Sequence, residues 1–222
     1  MTLRLVLLPG LGVGPRLFDQ QRVLPIPFAV PEWVDPKPTD TLEAYADRMA
    51  DRVGPCDALG GVSFGGMVAQ AMAARLKPKI VMGIATARRG KDIPGALRWA
   101  ESLVETIPIA GPSGALLAKF LGNLPRRFHT LVISMIREAR LDVVREGARM
   151  AVAWKGSEAV CPVRLIHGAL DVVIRAPSVK PDRVVRGGGH LINVTHPKIV
   201  NEFIMESLAT VGMATRDSRG RS

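Results

Sequence analysis

The sequence predicts an α/β protein, a trimmed and mostly parallel sheet of about six strands flanked by helices. Two observations carry this expectation. Short apolar, β-rich runs recur along the chain, and helical patterns fill the gaps between them. Such alternation is what parallel strands require, because each connection must return the chain to the same end of the sheet.

The strand candidates are residues 3–8, 28–33, 58–62, 79–85, 163–167 and 183–186, the second interrupted by Pro31. Helix candidates are 41–53, 64–76 and 197–210, with Thr39 or Asp40 as N-cap of the first. There Leu42, Tyr45, Met49 and Val53 share one face and leave Asp47, Arg48, Asp51 and Arg52 to solvent. Strand signals stop between Arg88 and Glu158, where helical patterns at 93–106, 113–121, 125–139 and 141–154 are broken by "IPIAGPSG" and "GNLPRR". The expected organisation is therefore a core of residues 1–87 and 159–213, a helical cap over 88–158, and a disordered basic tail over 214–222. Apolar residues of the cap, among them Trp99, Leu103, Leu117, Phe120, Phe128, Leu131, Met135, Met150 and Trp154, either line a pocket or pack helix on helix; packing is the ordinary use of an apolar stripe.

With 222 residues, 47% of them apolar and 23% charged, the chain can bury a substantial single core. It holds no apolar run long enough to span a bilayer, and "MTLRLVLLPGLG" reads as a strand rather than a signal peptide because it breaks at Pro9-Gly10 and lacks a small-residue cleavage site. Two cysteines, Cys56 and Cys161, suggest neither a disulfide framework nor a metal site, and a cytoplasmic location is expected. The net charge of +10 favours acidic partners in general; nucleic acid is disfavoured by an aromatic content of only 5% and by the lack of a basic run interleaved with aromatics.

Gly61-Val62-Ser63-Phe64-Gly65 matches G-x-S-x-G between an expected strand and an expected helix, the context in which such a turn projects a serine hydroxyl. A serine needs a base, itself oriented by a third group. Of the four histidines, His129 lies in the helical insertion, His167 ends a strand in a position suited to packing beneath a loop, and His196 precedes Pro197 at a helix start. His190, in "RGGGHLINVTHP" after the last strand candidate, is the expected base, since open α/β sheets build sites at strand carboxyl ends. Asp171, in "VRLIHGALDVVI", is the expected acid, giving the order Ser63, Asp171, His190. Taken singly, these residues have ordinary uses as a turn serine, a loop cap and a solvated histidine. An acyl-transfer oxyanion needs two N–H donors: Phe64, next after the serine, and Leu11, in the glycine-rich "LLPGLGVG". That loop is not a dinucleotide fingerprint, because Pro15 stands where the third glycine would fall.

With "LLPGLG", "GGVSFGG", "LIHGALD" and "GGGHLINVTHP" in this order, the chain resembles the α/β-hydrolase superfamily. The resemblance implies a parallel sheet with a helical cap inserted late in it, a Ser63–His190–Asp171 triad with Leu11 and Phe64 at the oxyanion, and hydrolysis of an ester or thioester through an acyl-enzyme, with no cofactor. Pro9-Gly10 stands where the family often has His-Gly, nothing precedes Leu3 to form the usual first two strands, and the 172–182 connection is short for a crossover helix. Acyltransferase, peptidase, perhydrolase and lyase chemistry share the fold and motif, and a non-catalytic binding or interaction module is the rival of a different class. The 88–158 segment carries twelve Lys/Arg against seven Asp/Glu, a balance of +5 suited to docking an acidic acyl-carrier protein.

Overall fold

The structure is a computed structural model that describes residues 3–94 and 126–212. In chain order the elements are β1 (Leu5–Leu8), a 3-10 helix (Pro15–Gln21), β2 (Phe28–Ala29), α1 (Leu42–Val53), β3 (Ala58–Val62), α2 (Phe64–Leu76), β4 (Ile80–Ile84), 3-10 turns at Gly90–Asp92 and Arg126–Phe128, α3 (His129–Arg137), α4 (Leu141–Ala153), β5 (Val163–Gly168), α5 (Ala176–Val179), β6 (Arg183–Val185), α6 (Ile192–Thr195) and α7 (Pro197–Thr210).

The strands form one sheet in the order β2-β1-β3-β4-β5-β6, and all five pairings are parallel. Strands covered on both faces need continuous apolar runs rather than alternation, and β1 (LVLL), β3 and β4 are buried at every position. Successive side chains then divide between the faces. Val6, Leu8, Leu59, Val81 and Leu165 pack with α1 and α2, whereas Leu5, Leu7, Ile80, Met82 and Ile166 pack with Leu17 and Phe18 of the 3-10 helix and Phe203, Ile204 and Leu208 of α7. The direction of strand addition reverses at β1, so the loops after β1 and β3 diverge at the carboxyl end, where such sheets open a crevice.

Two of the differences from the sequence-based boundaries have a clear physical cause. The 28–33 strand shortens to Phe28–Ala29; Pro31 cannot donate to a ladder, and Trp33 instead packs into the core with its ring tilted, 5.4 Å from Phe64 and 6.1 Å from Tyr45. The N-cap of α1 is Thr41 rather than Thr39 or Asp40: Thr41 Oγ1 accepts from Ala44 N at 3.2 Å, while the Asp40 carboxylate accepts from Lys37 N at 2.7 Å and pairs with Arg48. Leu42, Tyr45, Met49 and Val53 are all buried, as their spacing requires.

Between β4 and β5 the described chain is helical. Val143 and Met150 of α4 join the α1/α2 side of the core, and Val132 and Met135 of α3 join the other. Met135, Met150 and Trp154 are thus packed residues, with Phe128 and Leu131 partly buried against the cluster that holds Met135. The helices expected at 93–106 and 113–121, with Trp99, Leu103, Leu117 and Phe120, lie outside the described residues, as does the 214–222 tail. The short 172–182 connection holds only the single turn α5. Among the described residues no helix is long and apolar enough to cross a membrane.

Candidate active site

Ser63 occupies the junction of β3 and α2 at φ 55°, ψ −121°, a conformation unfavourable for a residue with a side chain by about 1–3 kcal/mol. The surroundings impose it. Ser63 N donates to Ile84 O at 2.9 Å, and Ser63 O accepts from Gly66 N (3.0 Å), Met67 N (3.3 Å) and Thr86 Oγ1 (2.6 Å). The glycines on either side are demanded by space: a Cβ on Gly61 would lie 2.6 Å from Gly66 N, one on Gly65 would meet the Leu8 and Pro9 backbone, and one on Gly66 would lie 2.6 Å from Thr86 Cβ. The exit of β1 is therefore pressed directly against the first turn of α2.

Asp171 and His190 arrive from the loops after β5 and β6, which are fastened together. Ala169 N donates to Val185 O at 3.0 Å and Leu170 N to Gly188 O at 2.8 Å, and a Cβ on Gly168 would lie 2.6 Å from Gly188 C. Beyond His190, Asn193 Nδ2 donates to Leu17 O (2.7 Å) and Gln21 Nε2 to Asn193 O (3.0 Å), tying α6 to the 3-10 helix.

These constraints bring three of the sequence-predicted residues into one line. His190 Nε2 lies 2.9 Å from Ser63 Oγ, and His190 Nδ1 lies 2.8 Å from Asp171 Oδ2. The acidic end is dry: the Asp171 side chain is 0% exposed and that of His190 8%. Asp171 Oδ1 accepts from Val173 N (2.8 Å) and Ile174 N (3.0 Å). Burial alone would raise the Asp171 pKa, but the adjacent His190, the His167 and His190 hydrogen bonds and the Ile174 amide together hold it well below the usual carboxylate range. A carboxylate facing Nδ1 fixes the proton there, which leaves the Nε2 lone pair for the Ser63 hydroxyl.

Leu11 and Phe64 meet beneath α4. Neither amide donates to a turn or loop carbonyl among the described residues, and Phe64, as the first residue of α2, has no intrahelical acceptor. Gly147 of α4 faces both: a Cβ there would strike Leu11 Cδ1 and lie 3.2 Å from Phe64 Cζ. The start of α4 is fixed to the same loop by Arg140 N, which donates to Gly12 O at 3.2 Å, and to the segment between β2 and α1 by the Arg140 side chain, which bonds Asp35 Oδ1 at 2.6 Å.

The remaining histidines stand elsewhere. His129 begins α3, and His196 is the N-cap of α7 with its Nδ1 2.9 Å from Thr195 Oγ1. His167 is the one whose surroundings the sequence understated: it is wholly buried, with Nε2 2.8 Å from Ile174 O and 3.2 Å from Asp171 Oδ2. The available signal was a polar residue closing an apolar strand four positions before Asp171. Thr86, at the end of the neighbouring strand, carried none. Among the described residues no group of three His, Cys, Asp or Glu is arranged to hold a metal ion.

No protein-family model matches the chain, and a search of curated proteins returns no match. Solved structures do match. An esterase from Thermogutta terrifontis, solved with malate bound, aligns with a TM-score of 0.69 at 24% identity, covering 95% of this chain and 91% of that one. An enol-lactonase from Burkholderia xenovorans LB400 gives 0.71 at 20% identity over 94% and 92%. An N-acyl homoserine lactonase complexed with N-hexanoyl homoserine lactone gives 0.75 at 13% identity over 96% and 92%. At these identities the likeness is one of fold.

Proposed function

We propose that this chain, which has the α/β-hydrolase fold, is a serine hydrolase that cleaves a carboxylic ester through an acyl-enzyme. The observation that carries the reading is the continuous contact Ser63 Oγ to His190 Nε2 (2.9 Å) and His190 Nδ1 to Asp171 Oδ2 (2.8 Å), built at a strained elbow. A binding module has no use for such a chain of proton acceptors. The esterase and lactonases of like fold support the ester as substrate class, since a lactone is an internal ester.

In this reading Ser63 Oγ attacks the carbonyl carbon while its proton passes to His190 Nε2. The Leu11 and Phe64 amides hold the resulting oxyanion; His190 then protonates the leaving alkoxide, and the acyl group remains on Ser63 Oγ. Water repeats the sequence, giving its proton to His190 and releasing the acid. Asp171 keeps the productive imidazole tautomer and stabilises the imidazolium. α4, between β4 and β5, covers the oxyanion donors.

A thioester would react by the same steps. Docking of an acidic acyl-carrier protein would rest on the +5 balance of 88–158 alone, and Arg140 of that segment is already paired with Asp35 outside it. Small-molecule esters are the substrates to test first.

The test is a fluorophosphonate probe with the adduct located by mass spectrometry, alongside turnover of p-nitrophenyl esters of graded chain length. Labelling at Ser63 that disappears in His190→Ala is the expected result. A folded wild type that neither labels nor turns over any ester refutes the reading and leaves a binding module.

A further inference from the structure

Asp171 carries a second imidazole that the reaction above does not use. Both carboxylate oxygens face N–H groups: Oδ1 accepts from the Val173 and Ile174 amides, and Oδ2 lies 2.8 Å from His190 Nδ1 and 3.2 Å from His167 Nε2. His167 sits on β5 with 0% exposure, and its Nε2 approaches the same carboxylate oxygen that His190 Nδ1 faces.

The tautomer of His167 follows from its neighbours. Nε2 faces the Ile174 carbonyl oxygen at 2.8 Å and Asp171 Oδ2, and neither atom has a proton to give, so the proton is on Nε2. Nδ1 is buried without a hydrogen-bond partner, and a proton there would be an unsatisfied buried donor. His167 is therefore a neutral donor whose N–H goes to the Ile174 carbonyl and lies, at 3.2 Å, against the carboxylate oxygen that orients His190. Ile174 closes the unit, since its own N–H goes to Oδ1 while its carbonyl takes the His167 proton.

We propose that His167 is a positioning residue for the reaction: by sharing Asp171 Oδ2 with His190, it fixes the plane of the carboxylate and limits how strongly Asp171 holds the His190 imidazolium. A carboxylate oxygen that accepts two N–H groups has less charge to offer each. Were it to face His190 alone, it would stabilise the imidazolium more, and His190 would keep its second proton to higher pH, leaving less free base at neutrality. The titratable groups acting on Asp171 are His190, from the loop after β6, and His167, from β5.

The inference rests on the hydrolase reading for its consequence in turnover, so its experiment reads the histidines directly. The 15N-histidine spectrum of the full chain is titrated for wild type, His167→Leu and His167→Gln. In His167→Leu the His190 midpoint rises by about one pH unit, the size of a neighbouring hydrogen-bond effect, and the acid limb of kcat/KM moves with it. Gln, whose amide N–H reaches the place of Nε2, restores both. A folded His167→Leu with an unmoved His190 titration overturns the proposal, even if its Tm falls, because packing alone would do that. If His167→Leu does not fold, the wild-type spectrum decides: Nε2 protonated with Nδ1 bare supports the proposal, and any other protonation of His167 refutes it. Fluorophosphonate labelling of Ser63 in the same wild-type sample keeps the two failures apart, since the His190 midpoint is read without turnover.

Discussion

The Thr86 hydroxyl donates to the Ser63 carbonyl oxygen at 2.6 Å, so a residue two positions past β4 holds the backbone of the turn that leaves β3. Thr86 is fully buried, and its side chain also fills the space that Gly66 leaves open. Thr86→Val keeps the shape and removes the donor. It is expected to cost about 1–2 kcal/mol of stability, the usual loss for a buried hydrogen bond, and to lower kcat as Ser63 relaxes from φ 55°. Thr86→Ser retains the bond and much of the activity. Urea unfolding and ester turnover of the two variants check this; equal behaviour of Val and Ser would refute it.

Gly65 and Gly189 separate glycines needed for space from glycines that are not. A Cβ on Gly65 would lie 2.7 Å from Leu8 C, backbone against backbone, with no side chain to move aside. Gly65→Ala is expected to lose about 3 kcal/mol or more, in the range of overpacked core positions, together with Ser63 labelling. Gly189→Ala meets nothing within 4 Å and should stay within about 0.5 kcal/mol of wild type although it adjoins His190. Denaturant midpoints of the pair provide the measurement.

Asp171 makes acid stability predictable in sign. Its pKa in the folded protein is depressed below the ordinary value of 3.8, so the folded state favours the carboxylate more than the unfolded state does. Its contribution is therefore complete at pH values above about 4 and is lost as the pH falls from there through the folded pKa. The stability advantage of wild type over Asp171→Asn should be present at about pH 5 and shrink as the pH falls below about 4. Urea midpoints at pH 6, 5, 4 and 3 measure it, and a difference that widens in acid would contradict the assignment.

What was legible in the sequence shares one property, that the cause is local. The buried runs of β1, β3 and β4 announce themselves because both faces are covered, and α2 and α7 begin and end where their pattern does. Ser63 stands out because its glycines are adjacent to it, and Asp171 and His190 because glycines mark the loops after their strands. The parts that were not legible depend on residues far apart in the chain. Thr86 matters only because β4 lies beside β3, and Gly147 only because α4 crosses over Leu11 and Phe64. Pro31 marked the weak end of the second strand, but the aromatic contact of Trp33 with Phe64 and Tyr45 that replaces it joins residues far apart in the chain.

Gly147 offers a test in which stability and activity move in opposite directions. It lies inside α4, where replacing glycine by alanine favours the helix by about 1 kcal/mol. The new methyl would however press on Leu11 Cδ1 and approach the Phe64 ring, 3.2 Å from Cζ and 3.3 Å from Cε1. The Leu11 side chain can yield, whereas the Phe64 ring is held among Trp33 and Tyr45, so the strain passes into the α2 start and the loop after β1. If the Leu11 and Phe64 amides receive the oxyanion, Gly147→Ala should lower kcat about tenfold, the effect of a slight displacement of donors aimed at a developing charge, while Tm is unchanged or higher. KM should change little, because the amides act on the transition state more than on the bound ester. Turnover equal to wild type in a variant of equal or greater Tm would remove α4 from any part in shaping those donors.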